Sequence, residues 1–180
     1  MELKTKGEEA FVPVKGLVGK LTWTHGADFD LAVLFEPRTG EAGLVYFGDK
    51  GKDLNTFPYM VLSGDAGVGD RAGNNEEVVK IGKLDDMKKI HVLCWDYKAV
   101  QGGTKARCAG TDVKLTITDD QGQTYAVKLD TGETANVAIV ATIDNTNPIG
   151  AKLINTSKVG TMKRWSKDAF VDLLAIVNAP

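Results

Sequence analysis

The sequence predicts an all-β fold, a two-sheet antiparallel β-sandwich with a short C-terminal helix, over a single domain spanning residues 1–180. Three observations carry this. The apolar segments are short and rich in Val, Ile and aromatic residues, which suits strands. One of them alternates strictly, with Val113, Leu115 and Ile117 interleaved with Lys114, Thr116 and Thr118. Between the segments lie turn signals rather than helical patterns, which argues against a βαβ arrangement.

In chain order the expected strands are Gly19 to Trp23, Phe29 to Phe35, Leu44 to Phe47, Val78 to Ile81, Ile90 to Trp95, Val113 to Thr118, Tyr125 to Leu129 and Val137 to Ile143. Arg38-Thr39-Gly40 and Gln101-Gly102-Gly103 read as turns, and Asp119-Asp120-Gln121-Gly122 closes a hairpin between the sixth and seventh strands. Near the C-terminus Trp165, Ala169, Leu173 and Val177 fall on one helical face. Ser166 is placed to cap that helix and Trp165 to staple against Phe170. No Pro- or Ser-rich linker and no repeat supports a second domain.

At 180 residues with 43% hydrophobic and 26% charged side chains, the chain can bury a core without disulfides or a structural metal. A formal net charge of -2 and the lack of long Lys/Arg runs exclude nucleic acid as an expected partner, and no basic patch supports membrane docking. Cys94 and Cys108 stand far apart among small or apolar neighbours and read as buried small hydrophobes. With neither a signal-peptide core nor a long apolar run, the expected location is cytoplasmic.

Acidity is concentrated in two places. Ser63-Gly64-Asp65-Ala66-Gly67-Val68-Gly69-Asp70-Arg71-Ala72-Gly73-Asn74-Asn75-Glu76-Glu77 supplies oxygen donors at close spacing, on glycines that let the chain curl around one point. Calcium asks for six to eight such hard oxygens. Earlier, Asp28-Phe29-Asp30 presents two carboxylates on one side of an extended segment, because residues two apart share a face. Two carboxylates about 5 Å apart repel by roughly 3 kcal/mol at an effective dielectric of about 20, so the cluster calls for a counter-charge beyond Arg71. A polar hairpin loop, whose Asp and Asn residues make turns, is the alternative. The segment is not an EF-hand: counted from Asp28 it lacks the central Gly and terminal Glu, with Thr39 at the last place.

Taken together these residues resemble the TerD-like tellurium-resistance and stress-response proteins. Asp28-Phe29-Asp30-Leu31 is similar to that family's first acidic motif, and Gly64-Asp65 through Glu76 to its second. Val45-Tyr46-Phe47 and Lys89-Ile90-His91-Val92 resemble its strands, and the likeness runs from Leu17 to Ile143. The resemblance implies a calcium-binding β-sandwich in the cytoplasm, not an enzyme, with protein partners in a stress-response assembly. Carried over by residue, the implied ligands are Asp28, Asp30, Asp65, Asp70, Asn74 and Glu76, with Asn75 and Glu77 second in rank. Ala32, Asn74 and Asn75 stand where carboxylates are common, which lowers the expected affinity. A calcium-dependent small-molecule-binding sandwich is the competing expectation.

Other chemistry finds little footing. Gly67-Val68-Gly69-Asp70-Arg71-Ala72 has dinucleotide-motif spacing, but a strand is expected after it, and Asp70 and Arg71 replace the Lys and Ser/Thr of a phosphate-binding loop. His25 and His91 are too isolated for a zinc site, with His91 expected in the core and His25 in a turn. No catalytic triad is recognisable. Trp23, Trp95 and Trp165 are expected to pack in the core.

Overall fold

The computed structural model describes residues 1–24, 28–63, 75–103, 111–166 and 168–180. Among these, strands β1 (Glu2–Leu3), β2 (Glu9–Val12), β3 (Lys15–Trp23), β4 (Phe29–Pro37), β5 (Gly43–Val45), β6 (Met60–Leu62), β7 (Asn75–Lys83), β8 (Met87–Asp96), β9 (Lys114–Thr118), β10 (Thr124–Lys128), β11 (Val137–Asp144) and β12 (Ala151–Gly160) form two six-stranded sheets. Their orders are β1-β10-β9-β3-β7-β6 and β2-β12-β11-β8-β4-β5. All pairings are antiparallel except that of β1 with β10. Two helices complete the described chain, α1 (Tyr97–Gln101) and α2 (Ala169–Asn178). The sandwich with its C-terminal helix is the expected fold. No helix among the described residues is long and apolar enough to cross a membrane.

Alternation decides what each strand buries. In the first sheet, Leu17, Leu21 and Trp23 of β3, Val79 and Ile81 of β7, and Leu115 and Ile117 of β9 point inward, meeting Phe29, Leu31, Val33 and Phe35 of β4 and Ile90, Val92 and Cys94 of β8. Cys94 is thus a core residue, while Cys108 lies outside the described residues. The β9–β10 hairpin forms as expected: Asp119 Oδ1 accepts the N–H groups of Gln121 and Gln123, both at 2.9 Å, and Gly122 takes φ 82.

The middle of the second sheet is buried on both faces. Its outer side carries Ala32, Leu34, Leu93, Trp95, Val137 and Ile139, covered by Ala169 and Leu173 of α2 and by Val100 and Met162. Strands covered on both sides read as continuous apolar runs, which is why β4, β8 and β11 were legible in the sequence. The helix starts later than expected. Asp168, not Ser166, is its N-cap, and Trp165 lies before it; Ser166 instead accepts the Asp168 N–H on its Oγ at 3.2 Å.

Four strands escape the sequence reading, and β12 shows why. Its inward residues include Asn155 and Ser157, both buried, so the apolar alternation breaks after Leu153. The Asn155 amide donates to the carbonyls of Leu3 (3.0 Å) and Lys128 (2.9 Å), Ser157 donates to Asn155 Oδ1 (2.5 Å), and Asp130 N–H donates to Ser157 Oγ (2.8 Å). These side chains satisfy β1 and β10 backbone across the sandwich, so their burial carries no desolvation debt. Ser157 adopts φ 38 where the β11–β12 register slips between Ile139 and Ala141.

Candidate functional site

One corner of the sandwich gathers the acidic segments. There the free edges β6–β7 and β4–β5 approach each other, and the chain enters and leaves 25–27 and 64–74 beside them. Ser63 ties the roots of 64–74 together: its N–H donates to Val78 carbonyl oxygen at 2.7 Å and its Oγ accepts the Val78 N–H at 3.1 Å. Beside it, both the N–H and the hydroxyl of Thr24 donate to the Asp112 carboxylate, fixing the end of β3 against the start of β9.

Strand parity aims the acids. Phe29 turns into the core and packs edge-on against Trp23 with ring centroids 5.6 Å apart, leaving Asp28 and Asp30 half-buried on either side of it. The Asp28 carbonyl accepts the Tyr97 N–H at 2.9 Å, and Asp30 Oδ2 accepts the indole N–H of its cross-strand partner Trp95 at 3.0 Å. On β7, Glu76 and Glu77 point to opposite faces. Glu76 is exposed on the outer face, 3.7 Å from Lys20, whereas Glu77 shares the inward parity of Val79 and Ile81 and is only 5% exposed.

The buried Glu77 has a backbone partner. β5 pairs with β4 only over Val33–Phe35, so beyond its end the Leu31 N–H has no strand to donate to on that edge. Glu77 Oε2 takes that N–H at 2.6 Å. Together Asp30, Leu31, Phe47, Lys50, Leu62, Ser63 and Glu77 enclose a cavity of about 10 Å³, the scale of one water molecule or small cation. Lys50 is held there through its carbonyl, which accepts the Leu62 N–H at 2.8 Å. The following Gly51 has φ 82, and a Cβ at that position would fall 2.0 Å from the Met60 carbonyl oxygen. Glu77 Oε2 is the carboxylate oxygen fixed beside the cavity, while the Asp30 carboxylate turns to the other face of β4, toward Trp95.

Of the residues named from sequence, the structure brings the Asp30 segment to Glu77 rather than to Glu76, and it places Asp28 next to Asp30 along the chain. Asp65, Asp70 and Asn74 lie outside the described residues, as does His25. Asn75 donates its amide to the Trp23 carbonyl at 3.4 Å. Among the described residues no three His, Cys, Asp or Glu side chains converge as a metal-binding group.

Sequence reasoning missed the aromatic cluster around Asp30. Trp95 and Trp23 are buried as expected, but Trp165 is half-buried and stacks on Trp95 at 4.9 Å and 30°. Phe47 lies 5.2 Å from Trp165, 5.8 Å from Tyr97 and 6.2 Å from Trp95. These rings come from three separated segments, so no local pattern announces them. His91 is buried, but on the outer side of its sheet: Nε2 faces Glu36 Oε2 at 2.7 Å and Nδ1 faces Thr142 Oγ1 at 3.0 Å. Burial holds its pKa below the ordinary value, aided by Lys89 and Lys158 and opposed by the Glu36 carboxylate.

Comparison with known proteins shows the fold. No family profile and no curated protein matches the chain. Among solved structures, a homologue of the telluride resistance protein TerD from Streptomyces coelicolor A3(2) superimposes with a TM-score of 0.56, at 15% identity over 93% of this chain and 99% of that one. A protein of unknown function, SAV2460, does so with a TM-score of 0.55, at 11% identity over 82% of this chain and 93% of that one. The architecture is therefore that of the TerD-like sandwich, as the acidic motifs led one to expect.

Proposed function

We propose that this chain is a calcium-binding protein of the TerD type, in which the ion orders the acidic loops and so completes a surface for protein partners in a response to tellurite or related chemical stress. The observation that carries this reading is the placement of the Asp28–Asp30 segment and the buried Glu77, joined through the Leu31 N–H that Glu77 accepts, at the roots of 25–27 and 64–74. A carboxylate is costly to bury, and a bound cation offsets that cost together with the repulsion between neighbouring acids. Asp28, Asp30 and Glu77 would supply ligands from the rigid sheets, while Asp65, Asp70 and Asn74 would supply them from the loop. Glu77, second in rank from the sequence, joins this set because its carboxylate reaches the Leu31 N–H next to Asp30, whereas Glu76 lies on the outer face beside Lys20. The TerD-like architecture supports the same reading from an independent side.

Calorimetric titration of the chelator-treated protein with calcium tests this. Saturable heat in the parent, weakened at least tenfold by Asp30→Asn, is the expected result. Absence of heat and of any thermal shift at millimolar calcium would remove calcium from the account.

A further inference from the structure

On the outer side of the second sheet, where edge strand β5 meets the start of α2, lies a groove of about 630 Å³ lined by Ala42, Gly43, Leu44, Tyr46, Trp165, Ser166, Ala169 and Phe170. Among the described residues no lining side chain is charged. Its walls are rings: Tyr46 and Trp165 sit 5.2 Å apart at 45°, with Phe170 also in the lining. The lining also includes the small side chains of Ala42 and Ala169. Gly43 contributes main chain only: a Cβ there would point to the other face of the sheet, 2.3 Å from Phe35 Cζ on the neighbouring strand. The polar atoms at hand include the Tyr46 and Ser166 hydroxyls.

We infer that this groove is a binding site for an uncharged, planar aromatic small molecule, held against Tyr46, Trp165 and Phe170. The volume falls in the range of small-molecule sites, and walls of aromatic side chains with few polar groups are the usual make-up of such pockets. Ring walls favour a ring, through offset or edge contacts that add to the area term. No described lining side chain carries a charge that would offset the desolvation of an ionic ligand. An added peptide strand fits poorly, because β5 offers only Gly43–Val45 before the Tyr46–Asp49 bridge turns the chain back. The site is prearranged: Trp165 rests on buried Trp95, whose indole N–H is anchored by Asp30.

The probe is N-phenyl-1-naphthylamine, an uncharged aromatic fluorophore, titrated into the full chain in EDTA so that the result does not depend on any cation at the acidic corner. Saturable one-site binding is expected, weakened at least tenfold by Ala42→Phe, which fills the groove, and by Trp165→Leu, which removes its wall. Far-UV circular dichroism and melting of Ala42→Phe check that the fold is kept, and Ala42→Leu serves as the filling variant if it is not. Failure of the probe to saturate, or equal affinity in the parent and a folded filling variant, overturns the inference.

Discussion

Glu77 can be made to report whether its burial is structural, metal-binding or both. The carboxylate is 5% exposed and accepts the Leu31 N–H at 2.6 Å. Glu77→Ala removes the acceptor and leaves that N–H unpaired in a buried corner. A hydrogen bond to a charged group contributes about 1.5–3 kcal/mol, which at about 2–4 °C per kcal/mol for a chain of this length lowers Tm by roughly 3–12 °C. Glu77→Gln keeps an oxygen for Leu31 and loses only the charge, so in EDTA it melts within a few degrees of the parent. Calcium separates the two roles. At 100 times its Kd the ion adds about 2.7 kcal/mol to the parent, and a roughly thirtyfold weaker site in Glu77→Gln retains only about 0.9 kcal/mol at the same concentration. Thermal melts of the parent and both variants, each with EDTA and with calcium, measure all of this. A full calcium shift in Glu77→Gln would refute the assignment of Glu77 as a ligand, and an unchanged Tm for Glu77→Ala would refute its structural role.

Three further outcomes follow from the same geometry. Glu76→Gln touches only an exposed 3.7 Å pair with Lys20, worth about 0–1 kcal/mol at most; urea unfolding and calcium titration should match the parent. Asn155→Ala orphans the Leu3 and Lys128 carbonyls and removes the acceptor for Ser157, so urea denaturation should show a loss of about 2–4 kcal/mol. His91 has a folded pKa depressed below its ordinary value, chiefly by burial. Its contribution is therefore complete above the unfolded value of about 6.5 and is lost as pH falls from there toward the folded value. His91→Gln should flatten the decline in stability below about pH 6.5, and an identical pH profile would show that His91 does not govern it.

The fold was readable where physics leaves a local trace. Strands β4, β8 and β11 are buried on both faces, so their apolar runs stand out, and the β9–β10 hairpin announces itself through alternation and an Asp-rich turn ending in Gly122. What was not readable was where polar side chains work in place of apolar ones. β12 buries Asn155 and Ser157 against backbone of the other sheet, a partnership across more than a hundred residues in the case of Leu3. Short edge strands such as β6 and the two-residue β1 carry too few positions to form a pattern.

The candidate site divides the same way. Sequence alone determined that acids would cluster in two segments, and alternation alone determined that Asp28 and Asp30 would flank an inward Phe29. Which of the adjacent Glu76 and Glu77 turns inward to the Leu31 backbone was decided only by tertiary structure, because a strand has two faces and one residue of register separates solvent from core. The packing of β7 against β4, with Val79 and Ile81 facing inward, sends Glu77 inside to the unpaired Leu31 N–H and leaves Glu76 beside Lys20 in water.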